Sequence, residues 1–105
     1  MGYVVILITA PQKNTKDIAE VLLQEKLVAC VNIIEEISSM YWWQGKIEKD
    51  KEGLLILKTK EELIDKLIER VKEIHPYTVP EIIALPIIKG NNDYLNWIDE
   101  SILSG

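Results

Sequence analysis

Apolar positions along this chain come in blocks, and the spacing changes from block to block. Residues 3–9, Tyr-Val-Val-Ile-Leu-Ile-Thr, form an unbroken, β-branched run ended by Ala10-Pro11. Such a run predicts a central strand buried on both faces. Asn14-Thr15-Lys16-Asp17 then offers a helix start with a carboxylate in the first turn, and Ile18, Val21, Leu22 and Leu27 recur at helical spacing. Residues 28–37 and 52–59 return to β-rich composition. Thr59-Lys60-Glu61-Glu62 has the form of a capping box, with Thr59 as cap and Glu62 reaching back. Leu63, Ile64, Leu67, Ile68, Val71 and Ile74 make one helical stripe, which Pro76 stops. Residues 81–88 read as a strand, and the internal Pro86 places it at an edge or a bulge. Gly90-Asn91-Asn92-Asp93 turns the chain into a last helix carrying Tyr94, Leu95, Trp97, Ile98 and Ile102.

The order is strand, helix, strand, strand, helix, strand and a terminal helix. This is the βαββαβ unit of ferredoxin-like α+β folds. Each crossover helix covers one face of an antiparallel sheet, which leaves the other face to the last helix or to another subunit. Between the middle strands lies Tyr-Trp-Trp-Gln-Gly-Lys-Ile-Glu-Lys-Asp-Lys-Glu, residues 41–52. Gln44-Gly45 suits a two-residue hairpin turn, because glycine accepts positive φ; a second placement puts the turn at Lys49–Gly53. The first placement extends the middle hairpin into an arm beyond the sheet. Trp42 and Trp43 then point to opposite faces, one toward the body and one toward a neighbour. The competing placement has both rings capping the core of their own chain.

At 105 residues the chain fits a single domain over 1–105. A net charge of −5 argues against nucleic acid and anionic membrane as partners. No apolar run reaches the roughly 18 residues of a membrane span. The N-terminal run lacks a basic leader and reads as a strand, and Ile6 stands where a myristoylation signal needs Ser or Thr. The single cysteine, Cys30, has no internal partner, which fits a reducing cytoplasm. The one arginine, Arg70, lies mid-helix, and no glycine-rich phosphate loop or nucleophile–base pair is legible, so no catalysis is expected. An RNA-recognition sheet is unsupported too, since the chain has no Phe.

Candidate chemistry gathers around residues 75–81, His-Pro-Tyr-Thr-Val-Pro-Glu. His75 is the single histidine. It ends a helix, where an imidazolium suits the dipole, and Glu81 lies across the short loop to orient the ring and favour its charged form. Cys30 is a soft-metal candidate, or simply a small residue in an apolar strand. No Cys-x-x-Cys, His-x-x-x-His or EF-hand loop accompanies them. Trp43, Lys58, Tyr77 and Glu81 are expected to converge at one end of the sheet as a cleft for a small anionic ligand; otherwise Lys58 and Glu81 form an ion pair.

Leu-Val-Ala-Cys-Val-Asn-Ile, the residue 41–52 segment, Leu-Lys-Thr, His-Pro-Tyr-Thr-Val-Pro-Glu-Ile-Ile-Ala-Leu-Pro-Ile and Tyr-Leu-Asn-Trp-Ile occur in that order. Together they resemble the CutA divalent-cation tolerance family over nearly the whole chain. The resemblance implies a ferredoxin-like protomer in a compact homotrimer, with hairpins pairing across subunits and an architecture like that of the PII signalling proteins. It implies a cleft between subunits lined by the segments that carry Trp43, Lys58, Tyr77 and Glu81. It also implies a role in tolerance of, or response to, copper and other divalent metal ions. The alternative is a PII-like trimer that senses a small ligand, and a third is a structural assembly factor. The family's copper positions are a cysteine in the first strand and a second histidine beside His-Pro-Tyr. Here these are Ile8 and Ile74, and His75 alone remains, so copper binding is expected to be weak and no cofactor obligatory.

Overall fold

A computed structural model describes residues 2–103. Strand β1 (Tyr3–Ala10) leads through a 3-10 turn (Gln12–Asn14) into helix α1 (Thr15–Gln24). Strands β2 (Cys30–Trp43) and β3 (Lys46–Lys60) form a long hairpin. A second 3-10 turn (Glu61–Leu63), helix α2 (Ile64–Ile74), strand β4 (Ile82–Ile87) and helix α3 (Asn92–Ser101) complete the order. The four strands make one antiparallel sheet in the order β2-β3-β1-β4. The α+β, ferredoxin-like expectation is met, and Pro86 lies on an edge strand, where its missing N–H removes no interior ladder bond.

Burial alternates along β1. Val4, Ile6, Ile8 and Ala10 are buried, whereas Tyr3, Val5, Leu7 and Thr9 are half-buried. The buried side meets Leu55 and Leu57 of β3, Ile18 and Leu22 of α1, and Leu67 and Val71 of α2 in one core. The expected burial of β1 on both faces is therefore corrected within the single chain, because α1 and α2 cover one face only. Helix α3 lies over one end of the other face. There Ile98 and Ile102 pack with Ala29 and Leu63, and Tyr3 and Leu95 flank them. Lys60 meets Asp99 at 2.8 Å, and the Tyr3 hydroxyl donates to the same carboxylate. These bonds hold the Asp99 carboxyl below its usual range. Asn91 caps α3 by accepting the Asp93 N–H at 2.9 Å.

The expected capping box does not form. Strand β3 continues through Thr59, whose hydroxyl donates to the Leu27 carbonyl at 2.7 Å inside the core. The hydroxyl is thus consumed before the helix begins. Helix α2 starts at Ile64 and ends at Ile74, and His75 takes an extended conformation ahead of Pro76.

The hairpin turn is at Gln44-Gly45, both with positive φ, and Trp43 pairs with Lys46. Strand β1 pairs with β3 only from Gly53 to Lys60. Residues 37–52 therefore form a two-stranded arm past the body of the sheet, and the longest dimension of the fold is 44 Å against 26 and 22 Å. Trp42 is 72% exposed and Trp43 52%, so neither ring caps the chain's own core.

A β-bulge lies at the root of the arm. Ile34 pairs with Leu54 and Ile37 with Glu52, so Glu35 and Glu36 together oppose Gly53. Below the bulge the even-numbered residues of β2 share a face with Leu54. Above it the odd-numbered residues Ser39, Tyr41 and Trp43 share a face with Glu48, Asp50 and Glu52. Gly53 itself packs against α1, where a β-carbon would collide with the Thr15 methyl.

Candidate functional site

At the root of the arm, on the sheet face that α1 and α2 leave open, lies a groove of about 1050 Å³. Strand β1 contributes Thr9 to its wall, the arm contributes Tyr41, Trp43, Glu48 and Glu52, and the loop after α2 contributes Tyr77 and Glu81. Each wall has a local cause. Pro76 and Pro80 constrain the backbone of the loop, and the bulge turns Tyr41 and Trp43 toward the face of Glu52.

Glu52 is 6% exposed, and its Oε2 accepts the Tyr77 hydroxyl at 2.7 Å. The Tyr41 hydroxyl donates to Asp50. Both phenols resist ionisation. The hydrogen bond to Asp50, aided by burial and the charges of Asp50, Glu52 and Glu48, pushes the Tyr41 hydroxyl up to about 12. Burial, then the bond to Glu52, raises Tyr77. A phenol that stays protonated remains a donor to its carboxylate.

His75 anchors the loop from beneath. It is buried, with Nε2 2.8 Å from the Thr9 carbonyl, and its Nδ1 accepts the Tyr77 N–H at 3.1 Å. The accepting Nδ1 assigns the proton to Nε2, so a neutral imidazole satisfies both bonds. The Tyr77 ring sits 4.8 Å away, centroid to centroid. Glu81 is exposed and is not a partner of the imidazole among the described residues.

Trp43, Tyr77 and Glu81 thus come together as the sequence suggests, but Lys58 does not join them. Lys58 is in register with Val5 and Leu54 with Thr9, so Lys58 lies four strand positions, about 13 Å, from the groove. Its ammonium bonds to Asn32 and lies 3.9 Å from Cys30 Sγ. Burial and the neighbouring Cys30 raise the Tyr94 phenol there. No Lys, Arg or His lines the groove among the described residues, whereas three carboxylates do, so its charge is wrong for the expected anion.

The metal donors are also dispersed. Cys30 and His75 lie in separate environments, and Ile8 and Ile74 pack into or against the core. No group of three or more His, Cys, Asp or Glu among the described residues could hold a metal ion. The sequence reading missed Glu52 and Tyr41, which sit in the charged and aromatic runs of the arm. Only the strand register, which pairs Tyr41 with Glu48 and Ile37 with Glu52, puts the two on one face.

Residues 4–101 match the family of the CutA1 divalent ion tolerance protein. The divalent-cation tolerance protein CutA of Thermus thermophilus is 51% identical over 98 residues, covering 92% of this chain and 95% of that protein. Protein CutA 1, chloroplastic, of Oryza sativa is 52% identical over 99 residues, covering 93% of this chain and 56% of that protein. This chain therefore spans little more than half the length of that plant relative. The crystal structure of CutA1 from Oryza sativa superposes with a TM-score of 0.97 at 47% identity, over 100% of this chain and 97% of that one.

Proposed function

The chain belongs to the CutA1 divalent ion tolerance family, and on that premise we propose that it is a cytoplasmic, homotrimeric, non-catalytic protein of divalent-cation tolerance, with copper among the ions it answers to. The observation that carries the reading is the groove at the root of the arm, with Glu48, Glu52 and Glu81 in its wall and no basic side chain among the described residues there. Such a surface concentrates cations. The name of the Thermus relative, a divalent-cation tolerance protein, agrees with that preference.

The remaining parts have their own supports. His75, the single histidine, spends both ring nitrogens on backbone groups, which leaves no free imidazole for acid–base work. No helix is long and apolar enough to cross a membrane among the described residues, and the unpaired Cys30 suits a reducing compartment. An open apolar sheet face and an unsupported arm favour assembly, with the groove as its functional surface.

Copper has no ready set of donors here: Ile8 and Ile74 supply none, and both His75 nitrogens are engaged. The reading therefore requires no obligatory cofactor and only weak copper binding. Calorimetry on the full chain should give weak copper binding that His75→Ala does not abolish, whereas tight, stoichiometric uptake lost in that variant contradicts the weak-binding assignment. Deleting the gene should sensitise its host to raised copper, and the intact chain should restore growth. Unchanged tolerance overturns the functional assignment.

A further inference from the structure

Alternation along β3 sorts the charges of the arm by sign. Residues 47–52 run Ile-Glu-Lys-Asp-Lys-Glu, and successive strand residues point to opposite faces. Glu48, Asp50 and Glu52 form a carboxylate row on the face of Tyr41 and Trp43, and Ile47, Lys49 and Lys51 take the reverse face. Register adds three residues of β2 to that reverse face. Trp42 pairs with Ile47, Met40 with Lys49 and Ser38 with Lys51.

The reverse face continues the side of β3 that buries Leu55 and Leu57 beneath the helices, but along the arm nothing covers it. Met40 is 70% exposed and Ile47 59%, beside Trp42 at 72%. Met40 and Trp42 also reach the rim of the groove. Large apolar side chains grouped in water and flanked by polar ones mark an interaction surface. Lys49 takes part in no ion pair among the described residues. Lys51 meets Glu36 of the bulge at 3.8 Å, a loose pair between exposed side chains. The chain's net charge of −5 argues against an anionic partner for the molecule as a whole, yet Ile47, Lys49, Lys51, Ser38, Met40 and Trp42 carry no acid at all.

We infer that this face of the arm docks on an anionic lipid bilayer. Trp42, Ile47 and Met40 enter the interfacial layer, and Lys49 and Lys51 meet the anionic headgroups. Indole rings favour the headgroup level, and lysine stems lie along apolar surface while their ammoniums stay in water. Each lysine held near an anionic leaflet adds to the attraction. A nucleic acid fits less well, because two lysines neutralise little of a phosphate backbone and Met40 and Ile47 offer no ring on which a base can stack. Copies that meet on the open sheet face meet on the side away from this one. Three copies would present it three times, so weak single contacts would add up. The docking stands apart from the cation preference of the groove and goes beyond the divalent-cation reading.

The test is co-sedimentation of the full chain with vesicles of phosphatidylcholine alone and of phosphatidylcholine mixed with phosphatidylserine. Binding to the mixed vesicles is expected, with tryptophan emission shifted to the blue and with release at high salt. Lys49→Gln combined with Lys51→Gln should weaken it by about tenfold or more, at roughly fivefold per lysine. Trp42→Ala should weaken it by about tenfold, the scale of withdrawing one large apolar side chain from water, and should remove most of the blue shift. All three positions are exposed on the arm, so the far-UV dichroism of each variant should match that of the unaltered chain. Glu48→Gln, on the carboxylate row, should bind the mixed vesicles no more weakly than the unaltered chain. No preference for the mixed vesicles, or affinity unchanged in both the lysine and the Trp42 variants, overturns the inference. A change of oligomeric mass in Trp42→Ala also overturns it, by making the face a contact between copies, as does retention of a single-stranded oligonucleotide with the vesicles left unbound. Copper titrations read the divalent-cation role separately, so failure with vesicles leaves that role standing.

Discussion

Inside the core the Thr59 hydroxyl ties the end of β3 to the Leu27 carbonyl, and both residues are buried. Thr59→Val keeps the shape, removes the donor and leaves that carbonyl unpaired. It should cost about 1–3 kcal/mol. Urea unfolding at fixed protein concentration measures the loss, and a change within roughly 0.5 kcal/mol, the range of a surface substitution, excludes the assignment. The same residue marks a limit of the sequence. Thr-x-x-Glu before an apolar stripe is a sound capping signature, yet here the hydroxyl was consumed by a carbonyl 32 residues away. His75 is a parallel case. Its place before Pro76 was legible, but its partner, the Thr9 carbonyl, is 66 residues distant. Trp43, Tyr77 and Glu81 were legible as a group because short loops and a hairpin bring them to one end of the sheet. Lys58 was not separable from them until strand register was known.

At the scale of elements, the hairpin was readable from Gln44-Gly45, and the edge position of β4 from Pro86. The bulge was not. Ile33-Ile34-Glu35-Glu36-Ile37 contains no glycine or proline, and nothing in it announces that two residues will oppose Gly53. That single insertion decides which aromatic side chains of β2 share a face with the carboxylate row. It depends on close approach, since Gly53 meets the Thr15 methyl of α1. Gly53→Ala should therefore destabilise by about 1–3 kcal/mol through overpacking. Thr15→Ser removes the obstructing methyl and retains the hydroxyl that donates to the Gln12 carbonyl. In the double variant most of the loss should be recovered, a coupling of about 0.5–3 kcal/mol between touching residues. Strictly additive costs in a denaturation cycle would mean that the two residues do not meet.

At the scale of the molecule, the core accounts for one face of the sheet, and helix α3 closes only one end of the other. Val5, Leu7, Leu54 and Ile56 are half-buried there, and Ile83 and Leu85 on β4 are 48% and 47% exposed. Beside this face the arm extends without a third strand, an arrangement that is marginal alone in water. One event, association of further copies of the chain, would cover the apolar face and support the arm. The expected state is a trimer, three times the 12.1 kDa chain by light scattering at low micromolar concentration. Leu85→Lys discriminates this from a monomer that tolerates its open face. Leu85 is absent from the buried core, so the charge leaves the protomer folded; in a closed assembly it would bury an unpaired ammonium in each subunit. The variant should lose the trimer mass while its far-UV dichroism stays that of a folded α+β chain. If Leu85→Lys leaves the trimer intact, the open sheet face is not where the copies meet. If the unaltered chain runs as a monomer, the arm must be stabilised from within its own chain, against the exposure of Trp42 and Trp43.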